Sequence, residues 1–502
     1  MVEGPNARCL EIWADSFKEG EWFLDILARC FHEGERRYRF GFQPVSLYQL
    51  DSPGSTLKAT VFGDYDAWAP CPRVVLDALS EGKADIIVYD PVSNKILLSV
   101  EEMNAVPTGN QSMQRSERVC AAARRHIPCV YLLTKYGVHK DQGIRTSSIW
   151  PAYLSLRLTL QYGTPSLTLF FGAEESPENY DTGSGVAQLA SVAEAVVRAW
   201  AVLERRPELA ETLSHICSDS FQFMLKGRRM VKELPGAGHL EDHDFRSWFG
   251  SRLLEMLAVP GRDVGKTPEE IVEAFRWPKA GQFVAEGEEL YGPDPFLERV
   301  EALAGRRRVW KPIEGGTKRA EPRAKVEAWT NEQVGKSRAI AMLKGAPLNM
   351  SAEDFPVDGR TGKLIVTTSK TILYLFDSRE DFLISFMEAF PQNKNDLGSL
   401  LPKRPRVVLY VCNSVESGGR AFKGDPFSGQ VAAYNHIFAI DLSARKEALF
   451  VAYYPHQLAS QLFAADGSPP RAKGVNVIRE NVDLVITANG VLLIPKEWKA
   501  LW

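Results

Sequence analysis

Two kinds of hydrophobic period alternate along the N-terminal part of the chain. Between Ala14 and Glu35, apolar side chains recur every three or four positions, which predicts an amphipathic helix. Short runs rich in β-branched and aromatic residues predict strands between the helical segments. The predicted strands are 38–50, 57–62, 84–89, 95–100 and 129–133, and the further helices are 74–79 and 110–126. The order of these elements predicts a mixed central sheet flanked by helices.

The pattern continues less regularly beyond this region. Residues 153–160 and 166–172 alternate in a way that predicts two strands, and Gly185 to Glu204 has the apolar stripe of a helix. Helices are also predicted near 245–257 and 268–275. A second set of strands follows at 363–368, 371–376 and 406–412, with a helix at 379–390 and a final hairpin turning at Asn489-Gly490. The C-terminal part is therefore predicted to be another α/β domain.

A change in composition separates these two parts. Arg306, Arg307 and Arg308 open a basic stretch in which cations alternate with Pro and Gly. We therefore predict an α/β N-terminal domain over 1–234, a helical region over 235–304, a basic linker over 305–335 and a C-terminal α/β domain over 336–502. The three arginines are candidate contacts to a nucleic-acid backbone, and the C-terminal domain is a candidate for nucleic-acid recognition or partner binding.

Composition narrows the class of protein. The chain has 502 residues, 45% of them hydrophobic, and a formal net charge of −3, which argues against a protein that coats polyanions along its whole surface. Its seven cysteines are scattered without a CxxC pair, so neither a disulfide framework nor a zinc ribbon is indicated. No leader or membrane-spanning pattern is evident. We therefore expect a cytoplasmic protein with no membrane partner.

Two carboxylates stand at one end of the predicted hairpin 84–100. Asp85 begins the first strand and Glu101 follows the second, so a tight hairpin would bring them to the same sheet edge. Two acids in an apolar setting disfavour simultaneous ionisation unless they share a cation. Mg²⁺ prefers such oxygen ligands and activates water towards phosphate esters. The pair therefore predicts a Mg²⁺ site, with Mn²⁺ as the alternative ion.

The helix predicted after this hairpin carries three polar side chains on one face. Gln111, Arg115 and Arg118 follow one another at spacings of four and three positions. Guanidinium groups match phosphate oxygens in a bidentate manner, so the two arginines are candidate phosphate contacts, and Gln111 is a candidate contact to water or phosphate. The alternative interpretation is an ordinary solvated helix face.

These elements resemble a known superfamily. The succession of helix, three strands, helix and strand, with GKADIIVYD, LLSVEEM and GNQSMQRSER, is similar to the PD-(D/E)xK nucleases, which include many restriction endonucleases. The resemblance covers about residues 10 to 135. It implies a restriction-endonuclease-like core in which Asp85 and Glu101 bind Mg²⁺. A Glu of the first helix, Glu21 or Glu19, would support the site.

One position departs from the superfamily pattern. The lysine that belongs two residues after the Glu is Met103 here. A thioether can neither orient nor activate water, so Lys135, at the end of the next predicted strand, and Gln111 are the candidates for that function. A catalytically inactive fold that serves as a nucleic-acid-binding module is the alternative.

The function that the resemblance implies is Mg²⁺-dependent endonucleolytic hydrolysis of DNA, as in type II restriction enzymes. Because a duplex has two strands to cut, a homodimer is one predicted assembly. The alternative within the same class is an effector of an antiviral defence system that acts with a partner protein.

Overall fold

The chain forms two compact units, Met1–Met230 with Leu234–Arg276, and Val231–Glu233 with Trp277–Trp502. The computed structural model describes the following residues: 7–50, 55–67, 69–103, 113, 115–134, 136–138, 144–146, 150–171, 184–201, 210–213, 215–216, 251, 253–261, 362–367, 371–376, 378–390, 401–412, 426–437, 448–454, 473–487, 490, 492–495 and 499–500. The predicted linker 305–335 and the predicted helix 268–275 lie outside these residues.

The first unit is built on an eight-stranded mixed sheet with the order β10-β7-β6-β5-β1-β4-β3-β2. Its strands are β1 (Ala7–Ala14), β2 (His32–Arg39), β3 (Gln43–Gln49), β4 (Thr56–Phe62), β5 (Ile86–Asp90), β6 (Lys95–Met103), β7 (Cys129–Thr134) and β10 (Ser166–Phe171). The pairs β1/β4, β6/β7 and β7/β10 are parallel, and the others are antiparallel. A separate pair joins β8 (Tyr136–Val138) to β9 (Ile144–Thr146). The predicted mixed α/β class is confirmed.

Strand β1, which the sequence pattern did not reveal, lies in the middle of this sheet. It pairs in parallel with β4 and antiparallel with β5, so Ala14 lies opposite Ile86 and Trp13 opposite Phe62. The C-terminal ends of β1, β4 and β6 and the N-terminal ends of β3 and β5 therefore lie at the same end of the sheet, where its strands terminate. The candidate site lies at this end.

In the described part of this unit the sheet is accompanied by helices α1 (Phe17–Ala28), α2 (Arg73–Glu81), α3 (Ser116–Arg124), α4 (Trp150–Tyr162) and α5 (Ser184–Ala201). Helix α1 begins after Ser16, whose side chain accepts a hydrogen bond from the Glu19 N–H at 3.2 Å. It packs against β1, β3, β4 and α5, whereas α3 packs against α2, α4 and β7. The prediction of a helix over 185–204 is confirmed by α5, and that of 74–79 by α2.

The prediction of a strand over 153–160 is wrong, because helix α4 covers these residues. Leucine alternates with other residues here, which resembles the two-residue period of a strand. Ser155 and Thr159 are nevertheless buried together with Leu154 and Leu158. Their hydroxyls bond to β10, Ser155 to Thr168 at 2.6 Å and Thr159 to the Ser166 carbonyl at 3.1 Å. The buried face of α4 therefore includes two hydrogen-bonded polar residues, and a pattern of hydrophobic positions alone does not show it as a helical face.

The second unit contains a seven-stranded sheet in sequential order. Its strands are β11 (Gly362–Thr367), β12 (Thr371–Phe376), β13 (Arg406–Cys412), β14 (Ala448–Tyr454), β15 (Leu484–Thr487), β16 (Leu492–Ile494) and β17 (Lys499–Ala500). Its helices are α6 (Arg379–Ala389), α7 (Pro426–Ile437) and α8 (Lys473–Asn481). Strands β13, β14 and β15 are parallel, and apart from the exposed Arg406 at the start of β13 they are buried, which their apolar runs explain. The predicted C-terminal α/β elements and the final hairpin, β15 with β16, are confirmed.

Among the residues with described positions, no helix has both the length and the apolar character that crossing a membrane requires.

Candidate functional site

The predicted carboxylate pair comes together where β5 and β6 meet. Ile86 lies opposite Val100 in this antiparallel pair, so Asp85 and Glu101 are the next neighbours beyond it. Both are buried, with 7% and 2% of their surface exposed. The N–H of Glu102 donates to Asp85 Oδ2 at 2.8 Å, which ties the end of β6 to the start of β5. The hairpin itself therefore brings the two acids together.

Two arginines from the start of α3 neutralise this pair. Arg118 Nη1 donates to both oxygens of Glu101, at 2.7 and 2.6 Å, and to Asp85 Oδ1 at 3.0 Å. Arg115 Nη1 donates to Glu101 Oε1 at 2.8 Å and to the Glu102 carbonyl at 2.8 Å, and lies 3.3 Å from Asp85 Oδ2. The four predicted site residues Asp85, Glu101, Arg115 and Arg118 therefore form a single charge cluster.

Burial and charge act in opposite directions on this cluster. Burial raises the pKa of Glu101 to about 8, and Asp85 adds to the rise, whereas Arg118 and Arg115 oppose it. Burial also disfavours the charge of Arg118, but its carboxylate neighbours outweigh that effect and keep its pKa above the ordinary value. Displacing the arginines would therefore raise the pKa of Glu101 further, because they oppose the effect of burial.

Of the two Glu candidates on α1, Glu19 lies beside the cluster. Burial and then the nearby Asp85 carboxylate raise the pKa of Glu19. Its Oε2 is buried and accepts no hydrogen bond from the described part of the chain. Glu21 instead accepts a hydrogen bond from the Tyr38 hydroxyl and lies 3.8 Å from Arg36, on the β2–β3 side. Of the two, Glu19 is therefore the one whose carboxylate lies near Asp85.

Lys83 lies near the site, although the sequence motifs did not indicate it. It forms an ion pair with Asp15 and lies with its Nζ 5.1 Å from the centre of the Tyr65 ring. Burial and then Arg118 lower its pKa, while Asp85 opposes this. Its position two residues before Asp85 was the available sequence signal, since side chains two apart share one side of an extended segment.

Met103 occupies the place where the superfamily pattern has a lysine. It is buried, and its sulfur accepts a hydrogen bond from the Tyr131 hydroxyl at 3.2 Å. Met103 therefore belongs to the core that supports β6 and β7.

Several predicted residues lie outside the described residues: Gln111, Lys135, Arg306, Arg307 and Arg308. Helix α3 begins at Ser116, so Arg115 immediately precedes it, and only part of the predicted helix 110–126 is described. Among the residues with described positions, no three His, Cys, Asp or Glu side chains are grouped as metal ligands. The cluster around Glu101 consists of two acids and two arginines.

The raised pKa of Glu101 leads to a prediction about stability in metal-free protein. The folded state keeps the Glu101 proton up to about pH 8, whereas an ordinary Glu releases it near 4.5. Folding therefore binds a proton in this window, and the contribution of Glu101 to stability falls as pH rises from about 4.5 to about 8. Urea unfolding in EDTA, compared between wild type and Glu101→Gln, measures this contribution. The opposite slope would show that the ion pairs with Arg115 and Arg118 outweigh burial.

Comparison of the chain with protein-family models, with curated proteins and with solved structures gave no match.

Proposed function

We propose that the first unit is a Mg²⁺-dependent endonuclease that hydrolyses DNA phosphodiester bonds. The observation that supports this most directly is the convergence of Asp85 and Glu101 on one arginine head group, Arg118 Nη1, at a sheet edge. Two acids and two phosphate-binding guanidinium groups in one cluster are the parts that a phosphodiesterase site requires. The resemblance to PD-(D/E)xK nucleases supports the same conclusion and a restriction-endonuclease-like core.

The donor atoms at this edge suit a hard divalent ion. Asp85 and Glu101 would hold Mg²⁺, with Mn²⁺ as the alternative, and the Glu102 carbonyl lies in the same cluster. Glu19, which lies near Asp85 but is not grouped with the pair as a metal ligand, would support the site from beside it. When bound, the ion would polarise a phosphate oxygen and make a bound water a better nucleophile.

The arginines would change partners when a substrate binds. A phosphate anion competes with Glu101 for Arg115 and Arg118, because guanidinium groups bind phosphate and carboxylate in the same bidentate manner. Moving an arginine to phosphate frees carboxylate oxygens and leaves their negative charge uncompensated. Cation binding and nucleic-acid binding would therefore strengthen each other.

Lys83 would supply the positive charge that Met103 cannot provide. Its lowered pKa and its place beside Asp15 and Tyr65, near Asp85 and Arg118, suit a cation that orients water at the site. Lys83 thus joins Lys135 and Gln111, which lie outside the described residues, as a candidate for this role. Met103 would keep only a packing role.

A direct assay tests the proposed activity. Purified full-length protein is incubated with supercoiled plasmid, linear duplex, single-stranded DNA and RNA, in Mg²⁺, Mn²⁺ or EDTA. Cleavage of DNA in Mg²⁺ that EDTA prevents is the expected result, and sequencing the ends separates a type II restriction enzyme, which cuts at one motif, from a less selective defence effector. Absence of cleavage with either ion, alone and with candidate partner proteins, would overturn the enzymatic proposal.

One observation favours a second function. The ion pairs among Asp85, Glu101, Arg115 and Arg118 leave each acid with cationic partners, and Met103 is buried in the core. A nuclease fold that has become a nucleic-acid-binding module would have these properties. Such a protein would leave DNA uncut in the cleavage assay but would still bind it in a gel-shift experiment.

A further inference from the structure

The hairpin formed by β2 and β3 carries an unusual group of exposed side chains. Tyr38, Phe40 and Phe42 are 51%, 78% and 42% exposed. They are the exposed large aromatic residues within the described part of the chain, and the other exposed large hydrophobic residues there are valines. Exposed aromatic rings in one place indicate a binding surface, because burying each of them would be favourable.

The charge of this hairpin tip is positive. The segment RYRFGFQ, residues 37–43, contains two arginines and no acid. Arg39 and Arg37 are exposed, and the guanidinium of Arg39 lies 5.5 Å from the centre of the Phe40 ring. Arg37 forms an ion pair with Glu35 at the surface, where such pairs are weak. The tip thus combines aromatic rings and guanidinium groups, which complements a polyanion with flat bases.

The backbone at the tip displays Phe40 at a conformational cost. Phe40 has a φ of +52°, in the left-handed region, and Gly41 follows with a φ of +80°. A bulky residue in this region is rare, and Asn or Gly would suit the turn better. Phe42 anchors the turn, because its ring makes an edge-to-face contact with Phe17 at 5.2 Å. The turn therefore holds the Phe40 ring in solvent.

The hairpin tip and the carboxylate cluster share one end of the sheet. Arg39 pairs with Gln43 across the hairpin, and the register through β4 and β1 connects this end to Ile86 and Val100. Strands β5 and β3 are three strand spacings apart, or ~14 Å. At ~3.4 Å per nucleotide along a strand, this distance corresponds to about four nucleotides.

We propose that Arg37, Tyr38, Arg39, Phe40 and Phe42 form a stacking platform for unpaired bases of the nucleic acid that enters the Asp85–Glu101 site. This inference rests on the proposed function and specifies its substrate: a strand with unpaired or splayed bases a few nucleotides from the scissile phosphate. The rings stack on base faces, and the two arginines contact the neighbouring phosphates.

Binding assays in EDTA test this proposal separately from cleavage. Fluorescence anisotropy follows full-length protein with a labelled single-stranded oligonucleotide, the same strand with a run of abasic sites, and a blunt duplex. We expect the single strand to bind more tightly than the abasic strand and the duplex. Phe40→Ala should weaken binding to the single strand by roughly tenfold, and Phe40→Trp should preserve it. Arg37→Ala with Arg39→Ala should also reduce the dependence of affinity on salt.

The matched control is Val92→Ala, which removes another exposed hydrophobic side chain, 87% exposed, at the turn between β5 and β6. It should leave binding unchanged. Phe40 is preferred to Phe42 as the test position because Phe42 packs on Phe17. Equal affinity for the intact and abasic strands, or unchanged binding by a folded Phe40→Ala protein, would overturn the stacking platform. Wild-type protein that binds the single strand as expected but cuts no DNA in Mg²⁺ would overturn the proposed nuclease and leave the stacking platform standing.

Discussion

Replacing Asp85 by Asn or Glu101 by Gln should lower Mg²⁺-dependent DNA cleavage by about a thousandfold, because each change removes a charged ligand whose ion would stabilise the transition state by several kcal/mol. The replacements keep the size of the side chains, which are buried at the β5/β6 edge. The amide oxygen of each variant still accepts a hydrogen bond from an arginine, although the NH2 group replaces an oxygen that accepts one in the wild type. In variants that thermal unfolding shows to be folded, the loss reports on metal chemistry. Initial cleavage rates of plasmid at saturating Mg²⁺ measure it.

Glu102→Gln is the matched control for this experiment. It makes the same chemical change one position along β6, where strand alternation directs the side chain away from Glu101. Its cleavage rate should stay close to that of the wild type. Thermal unfolding of each variant establishes that the fold is retained. If Asp85→Asn and Glu101→Gln proteins cut DNA as fast as Glu102→Gln protein, the site assignment is wrong.

The sequence was sufficient to predict the hairpin that carries this site. Asp90-Pro91 marks a turn between two apolar runs, and local pairing across a turn fixes the register. A β-bulge between Val88 and Tyr89 then shifts the pairing by one residue and places Asp85 beside Glu101, and this shift could not be predicted from the sequence. Strand β1 was missed because its central place depends on a parallel pairing with β4, which is distant in the chain. Nonlocal pairing leaves no periodic signal in a single sequence.

The sequence also could not predict the partners of the two arginines. The spacing of Arg115 and Arg118 predicts that they lie close together, but it does not distinguish solvent, phosphate or carboxylate as their partner. The choice depends on how α3 packs against β6 and β7. Glu19 and Glu21 show the same limit, since two positions on one helix point to different neighbours, Asp85 and Tyr38.

Removing Arg118 should destabilise the sheet around Glu101 more than any change at an exposed ion pair. Arg118 is 16% exposed and contacts both oxygens of Glu101, whose side chain is 3% exposed. Above about pH 8, where Glu101 carries its charge, leaving one member of this buried pair uncompensated costs about 3–5 kcal/mol. Arg118→Met keeps the packing of the side-chain stem and removes the charge. Hydrogen exchange read by mass spectrometry on the full chain should then show amides of β5 and β6 losing protection by roughly a hundredfold or more.

A double replacement separates charge from packing in this prediction. Arg118→Met combined with Glu101→Gln removes both charges, so most of the lost protection should return, because a buried pair is costly mainly when one partner remains alone. Arg73→Met is the surface control. Arg73 pairs with Asp77 on α2 at 2.8 Å, but its side chain is 86% exposed, so water replaces the partner and protection should hardly change. If the single and double variants lose protection equally, the loss does not come from an uncompensated charge on Glu101, and the charge cluster does not hold β5 to β6.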